Sequence, residues 1–290
     1  MSRQKICDLN DDEYEHPFDH KALEAMEATP GLDTLIKKLW EHIGENTLRV
    51  IYTGNGVRVT ERTFPEIHEI FSEAKEILNV ENPVDLYIQQ DPYVNAFTAG
   101  ISKPVIVLNT QTIDLLTPDE LLYIIGHEMG HIKSRHLLYK QTAEVLKIMG
   151  GIVGDLTLGL GDLVLNSAQV ALLYWSQMSE LTADRAGLLA CQDLTVAAGA
   201  NMKIAGVPHK YKDRVDPREF LKQAREFEEY DWQAVNKMIK MYIMYNPTSG
   251  MTHPWTVVRA AELSKWMESG GYLDVMMRKT AISPTDSSSG

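Results

Sequence analysis

Cysteine is nearly absent from this chain: two in 290 residues, Cys7 and Cys191. That excludes a disulfide framework, and a chain of this length buries a core without one. A reducing, cytoplasmic compartment is the expectation, with a peripheral membrane position as the alternative. Excess positive charge is missing as well. Lys and Arg number 28 against 40 Asp and Glu, a formal charge of -12. Nucleic acid is therefore not an expected partner, because binding it needs a basic surface that displaces counterions. A polybasic grip on anionic lipid is disfavoured for the same reason. The first residues, Met1 to Glu13, contain no apolar run and do not read as a secretory signal. Nor is there a clean membrane span. Residues 145–175 are rich in Leu, Val, Ile and Gly, but Asp155, Asp162, Asn166 and Gln169 interrupt them. Each Asp at a bilayer centre costs about 2.5–3.5 kcal/mol. A pair of buried helices is favoured over a membrane-dipping hairpin, and membrane association is not favoured.

No repeat or composition shift divides the chain. One domain is expected over 1–282, with a polar, acidic, mobile or surface-draped leader at 1–16 and a disordered tail at 283–290. Helical periodicity runs over 22–45, broken at Pro30-Gly31, and again over 66–78. Residues 48–52 read as a short strand ended by Gly54-Asn55-Gly56. Strands follow at 84–89 and 104–109, with an extended segment at 93–98. These make a small sheet of three or four strands, mixed or antiparallel because the connections are short. From Thr117 the pattern is helical. Thr117-Pro118-Asp119-Glu120 combines a capping box with proline in the first turn. Further helices are expected near 139–150, 163–191, 194–204, 217–228, 231–244 and 254–267. Fold class is α+β, mostly helical.

The chemistry concentrates in His127-Glu128-Met129-Gly130-His131. Residues four apart project from one helix face, so two imidazoles can reach one Zn²⁺. Glu128 beside them suits a general base for the hydrolytic water. A catalytic zinc wants a third protein ligand and an open position. His136 projects about 140° around an extended helix from His131 and would face elsewhere. Glu180 is the better candidate. It lies with Asp184 on one face of an apolar helix, where Asp184 can accept the outer N–H of a ligand histidine.

Together, His127-Glu-Met-Gly-His131, Glu180-x-x-x-Asp184 and His253-Pro254 with Arg259 resemble the HtpX-like and CAAX-prenyl-protease family of zinc endopeptidases, in the gluzincin group. The resemblance implies a zincin-like core whose active-site helix carries the His-Glu-x-x-His motif. It implies one zinc per chain on His127, His131 and Glu180, with Glu128 as base. It also implies His253 near the metal, stabilising the tetrahedral intermediate. Trp255 stands where the family often has proline. Asn95-Ala96-Phe97 is similar to the family's edge-strand segment, which would hold an extended peptide through its backbone. Arg259 either binds substrate or braces Glu180. Family members span membranes; this chain reads as a soluble relative acting on peptide or protein substrates. Two rival expectations stand beside this one. The acidic leader from Cys7 to His20 would plug the cleft of a latent enzyme, or the chain would be a non-catalytic zinc protein that docks partners through 145–175. Oligomeric state is not legible.

Overall fold

Strand β4 (Val105–Asn109) is buried along its whole length, as a Val-Ile-Val-Leu run covered on both faces should be. Beside it β2 (Asp85–Gln89) alternates buried and half-buried residues. The sheet has four strands in the order β1-β2-β4-β3, with β1 at Gly56–Arg58 and β3 at Ala96–Ala99. β2 and β4 are parallel, and the two outer pairings are antiparallel. The sheet is therefore mixed, and β3 forms one edge, paired only with β4. The computed structural model describes residues 3–44, 47–149, 162–229 and 255–277. The helix expected at 231–244, the middle of the apolar 145–175 region, His253 and the tail at 283–290 lie outside them.

The helices are α1 (Pro17–Glu27), α2 (Leu32–Ile43), α3 (Thr47–Gly54), α4 (Pro65–Ile77), α5 (Thr110–Leu115) and α6 (Pro118–Lys133). They continue as α7 (Leu137–Met149), α8 (Asp162–Cys191), α9 (Leu194–Gly206), α10 (Pro217–Glu229), α11 (Thr256–Glu268) and α12 (Gly271–Met276). The class is α+β and mostly helical, as expected. Among the described residues no helix is long and apolar enough to cross a membrane.

Two expectations fail. Residues 48–52 are helical, within α3, and the strand comes after the glycine turn, as β1. A strand would have put Leu48, Val50 and Tyr52 on one face. The helix instead lays Leu48 and Tyr52, four apart, against Val105 and Val107 of the sheet and leaves Val50 and Ile51 exposed. The leader is not loosely draped over the surface either. Ile6, Leu9 and Tyr14 are buried in the main core, and the Ile6 N–H donates to the Ile77 carbonyl at 3.0 Å. Three apolar or aromatic anchors in the first 16 residues were too sparse to register as a periodic element.

α6 is the axis of the molecule, buried from Glu120 through Ile132. Its start is as expected: Thr117 Oγ1 accepts from the Glu120 N–H, and Glu120 Oε2 accepts from the Thr117 N–H at 2.8 Å. α8 packs along it closely enough that glycine is required. A Cβ on Gly130 would stand 2.6 Å from the Ala186 Cβ, and one on Gly187 would stand 2.8 Å from the Tyr123 ring. This contact brings the two motif-bearing helices within side-chain reach.

Candidate active site

His127 and His131 leave one face of α6 with ring centroids 4.9 Å apart. Opposite them α8 delivers Glu180, which is 1% exposed. Its Oε2 lies 3.2 Å from His127 Nε2 and its Oε1 lies 3.3 Å from His131 Nε2. One donor atom from each of the three residues falls within 4.8 Å of the others. Ligands at 2.0–2.1 Å from a tetrahedral ion stand roughly 3.3 Å apart, so the spacing suits zinc. A cation-seeking character is visible directly. The Lys140 ammonium, reaching in from α7, sits 2.9 Å from His131 Nε2 and contacts Glu180 Oε1. The donor set thus fits a metal ion, with Lys140 standing in its place.

The outer nitrogens are held too. His127 Nδ1 faces Asp184 Oδ1 at 3.0 Å, the arrangement expected of Asp184. Tyr123 donates its hydroxyl to the same oxygen at 2.7 Å, and Asn201 donates to Tyr123 at 3.0 Å. Arg259, on α11, pairs with both carboxylate oxygens, Nε to Oδ2 at 2.8 Å and Nη2 to Oδ1 at 2.5 Å. It is 4% exposed, and its Nη2 lies 3.3 Å from His127 Nδ1. The structure thus places Arg259 behind His127 and on Asp184.

His136 is where the sequence projection went astray. α6 stops at Lys133, and Arg135 takes a left-handed φ of 57°. The His136 N–H then closes on the His131 carbonyl at 3.0 Å, as in a Schellman cap. A non-glycine residue in that conformation costs about 1–2 kcal/mol. The turn folds the His136 ring back under His131, Nδ1 to Nδ1 at 3.1 Å. Helical geometry could not predict this, because the helix ends between the two residues.

Electrostatics separate His127 from His131. Burial pulls His127 down, but hydrogen bonds and charge from Asp184 and Glu180 lift it to about 9. His131 goes the other way, pushed well below its usual value by burial and by the Lys140 charge. Burial would raise Asp184, yet Arg259 and His127 hold it far below the ordinary carboxylate range.

Glu128 is buried beside the donors, and Thr98 Oγ1 of β3 donates to its Oε2 at 2.7 Å. That link ties Glu128 to the sheet edge, and the sequence had not flagged it. The signal available was alternation: Ala96 and Thr98 share a face of one strand. Asn95 is exposed and precedes β3. Its N–H donates to Thr112 Oγ1 at 2.8 Å and its carbonyl accepts from the Asn109 N–H at 3.0 Å. Its backbone is therefore engaged within the chain, which leaves Ala96, Phe97 and Thr98 as the edge. Phe97 stacks edge-on against Tyr52, with centroids 4.6 Å apart. Of the leader side chains, His16 reaches Glu262, and Asp19 reaches His136 and Thr182. None of these three contacts is with His127, His131 or Glu180. Cys7 and Cys191 are not joined in a disulfide.

Two histidines and a glutamate converging from paired helices, with a second carboxylate alongside, form a group that could hold a metal ion, consistent with a zincin-like active site. Residues 61–267 match the model of peptidase family M48, and the chain belongs to that HtpX-like family. It is similar to the plastoglobule-localized metallopeptidase 48 of Arabidopsis thaliana, 35% identical over 273 residues, 93% of this chain and 77% of that one. It also resembles the protease HtpX homolog 2 of Methanosarcina acetivorans, at 28% identity over 60% of this chain and 65% of the relative. The protease HtpX homolog of a Sulfurihydrogenibium species is 25% identical over 71% of this chain and 76% of its own. No solved structure matches significantly. The protein is thus a metalloprotease, a hydrolase acting on peptide bonds with peptide or protein substrates. The Arabidopsis relative is chloroplastic by name, which lends the cytoplasmic expectation no support.

Proposed function

We propose that the chain is a zinc-dependent endopeptidase in which His127, His131 and Glu180 hold the metal and Glu128 is the general base. The observation that carries this is the convergence of three donor atoms within 4.8 Å beside a buried Glu128 fixed by Thr98. When bound, zinc lowers the pKa of a water toward about 7 and polarises the scissile carbonyl. Glu128 accepts the proton of the attacking water and delivers it to the leaving amine. Thr98 keeps one Glu128 oxygen occupied, which aims the other at the water. Ala96 and Phe97, on the sheet edge, hold an extended peptide through main-chain hydrogen bonds, and the Asn95 side chain orients it. His253, outside the described residues, takes the role of donor to the developing oxyanion. Asp184 holds His127 in the tautomer that leaves Nε2 free, and Arg259 holds Asp184.

Glu128→Gln tests the assignment. The variant is expected to keep full zinc content and to lose proteolysis by about 100- to 10,000-fold. Hydrolysis of a peptide library at the unaltered rate, with chelator-treated protein as the blank, would remove Glu128 from the mechanism.

A further inference from the structure

Asp184 accounts for only one of the two ligand histidines. The outer nitrogen of His131 does not meet a carboxylate. It meets another imidazole, His136 Nδ1, at 3.1 Å. Two imidazole nitrogens at that distance share one proton, so one must donate and the other accept. Both ends of the chain of contacts decide which. On the metal side, His131 Nε2 lies 2.9 Å from the Lys140 ammonium, a donor only, so Nε2 is bare and the proton is on Nδ1. On the far side, His136 Nε2 lies 3.2 Å from Asp19 Oδ2, an acceptor when ionised, so His136 carries its proton on Nε2. His136 Nδ1 is then the acceptor that His131 requires. The directions agree from either end.

Asp19 is positioned for this. It is fully buried on α1, and Thr182 Oγ1 donates to the same Oδ2 at 2.5 Å. Burial acts to raise its pKa, but the bonds from His136 and Thr182 hold the carboxyl below its usual value. His136 itself is 4% exposed and packs edge-on to Trp175, with centroids 5.4 Å apart, so its ring cannot swing away freely. Asp19 belongs to the leader helix, before the 61–267 segment that matches the family.

We propose that Asp19 and His136 are positioning residues for the metal. Asp19 fixes His136 with its proton on Nε2, and His136 in turn fixes His131 with its proton on Nδ1, so that His131 Nε2 always faces the ion as a lone pair. The leader helix thereby completes the active site from behind. This rests on His131 being a metal ligand.

Two measurements on the full-length protein test it. The first needs no variant: ¹⁵N shifts of the imidazoles in histidine-labelled, zinc-loaded protein. His136 is expected in the Nε2–H form and His131 in the Nδ1–H form; a His136 proton on Nδ1 overturns the proposal. The second is zinc affinity by chelator competition, with thermal melting of the metal-free protein alongside. Asp19→Ala is expected to weaken zinc about 10- to 100-fold. Thr182→Val removes the other bond to Asp19 but leaves the relay, and should hold zinc within about threefold of the unaltered protein. Unchanged affinity in Asp19→Ala, or an equal loss in Thr182→Val, overturns the relay. If His131→Ala binds zinc as well as the unaltered protein does, it is the ligand assignment that has failed.

Discussion

Behind His127 stands a charged, fully buried network: Asp184, with Tyr123 and a bidentate Arg259. Behind His131 stands a chain of single contacts: an imidazole pair and, beyond it, Asp19 on α1. The two histidines are one turn apart on α6 and present the same nitrogen to Glu180. The difference lies in what each support costs to break. Buried Asp184 is compensated mainly by one guanidinium, so removing that partner strands a charge in low dielectric. The His136 link ends in a carboxylate that keeps a second donor, Thr182. One support is strong and brittle, the other weaker and tolerant.

The comparison can be broken at its stiff end. Arg259→Ala is expected to destabilise the metal-free protein by about 3–5 kcal/mol, because Asp184 stays buried without its counter-charge. Denaturant unfolding would measure it. A loss below about 1 kcal/mol would mean that the two supports are alike. Gly130→Ala sharpens the comparison from the middle. It pushes a methyl into Ala186 and parts α6 from α8, which carries both Glu180 and Asp184. Overpacking of this kind costs about 1–3 kcal/mol and should lower zinc content as well, read by elemental analysis after dialysis.

The smallest effect concerns how the leader helix is fastened. Glu262 pairs with His16, the N-cap of α1, at 3.0 Å and with Lys265 at 2.8 Å. Burial acts against it, but these partners lower its pKa from 4.5 to about 2. A depressed folded-state pKa stabilises above the unfolded value and fades as pH falls through the folded one. Glu262→Gln should thus be less stable than the unaltered protein above about pH 4.5, with the gap closing toward pH 2. The pair is partly exposed, so the gap is expected to be about 0.2–1 kcal/mol in urea titrations at several pH values. A gap that stays constant across that range would remove Glu262 as the fastener.

Local pattern made part of this molecule legible. The capping box at Thr117, the 3.6 periodicity of α4 and the buried run of β4 each depend on neighbours in the chain, and each appears where it was expected. Residues 48–52 misled for the opposite reason. Their β-branched content suits a strand, but one face of the sheet takes two side chains four apart, and the helix supplied them. Thr98 and Arg259 illustrate a third case. Their presence was readable, but which carboxylate each one meets was not.

Sequence alone determined that two imidazoles share a helix face with a glutamate between them, because a spacing of four residues and a helical period are sufficient for that. It also singled out Glu180 and Asp184 as the carboxylates to watch, by their spacing in an apolar helix. Only the tertiary structure decided how these parts meet. The close approach of α6 and α8 sets Glu180 against both histidines, a left-handed turn at Arg135 returns His136 beneath His131, and Asp19 arrives from α1, more than a hundred residues earlier in the chain. Each of these depends on packing between segments far apart in the chain, where no local period carries information.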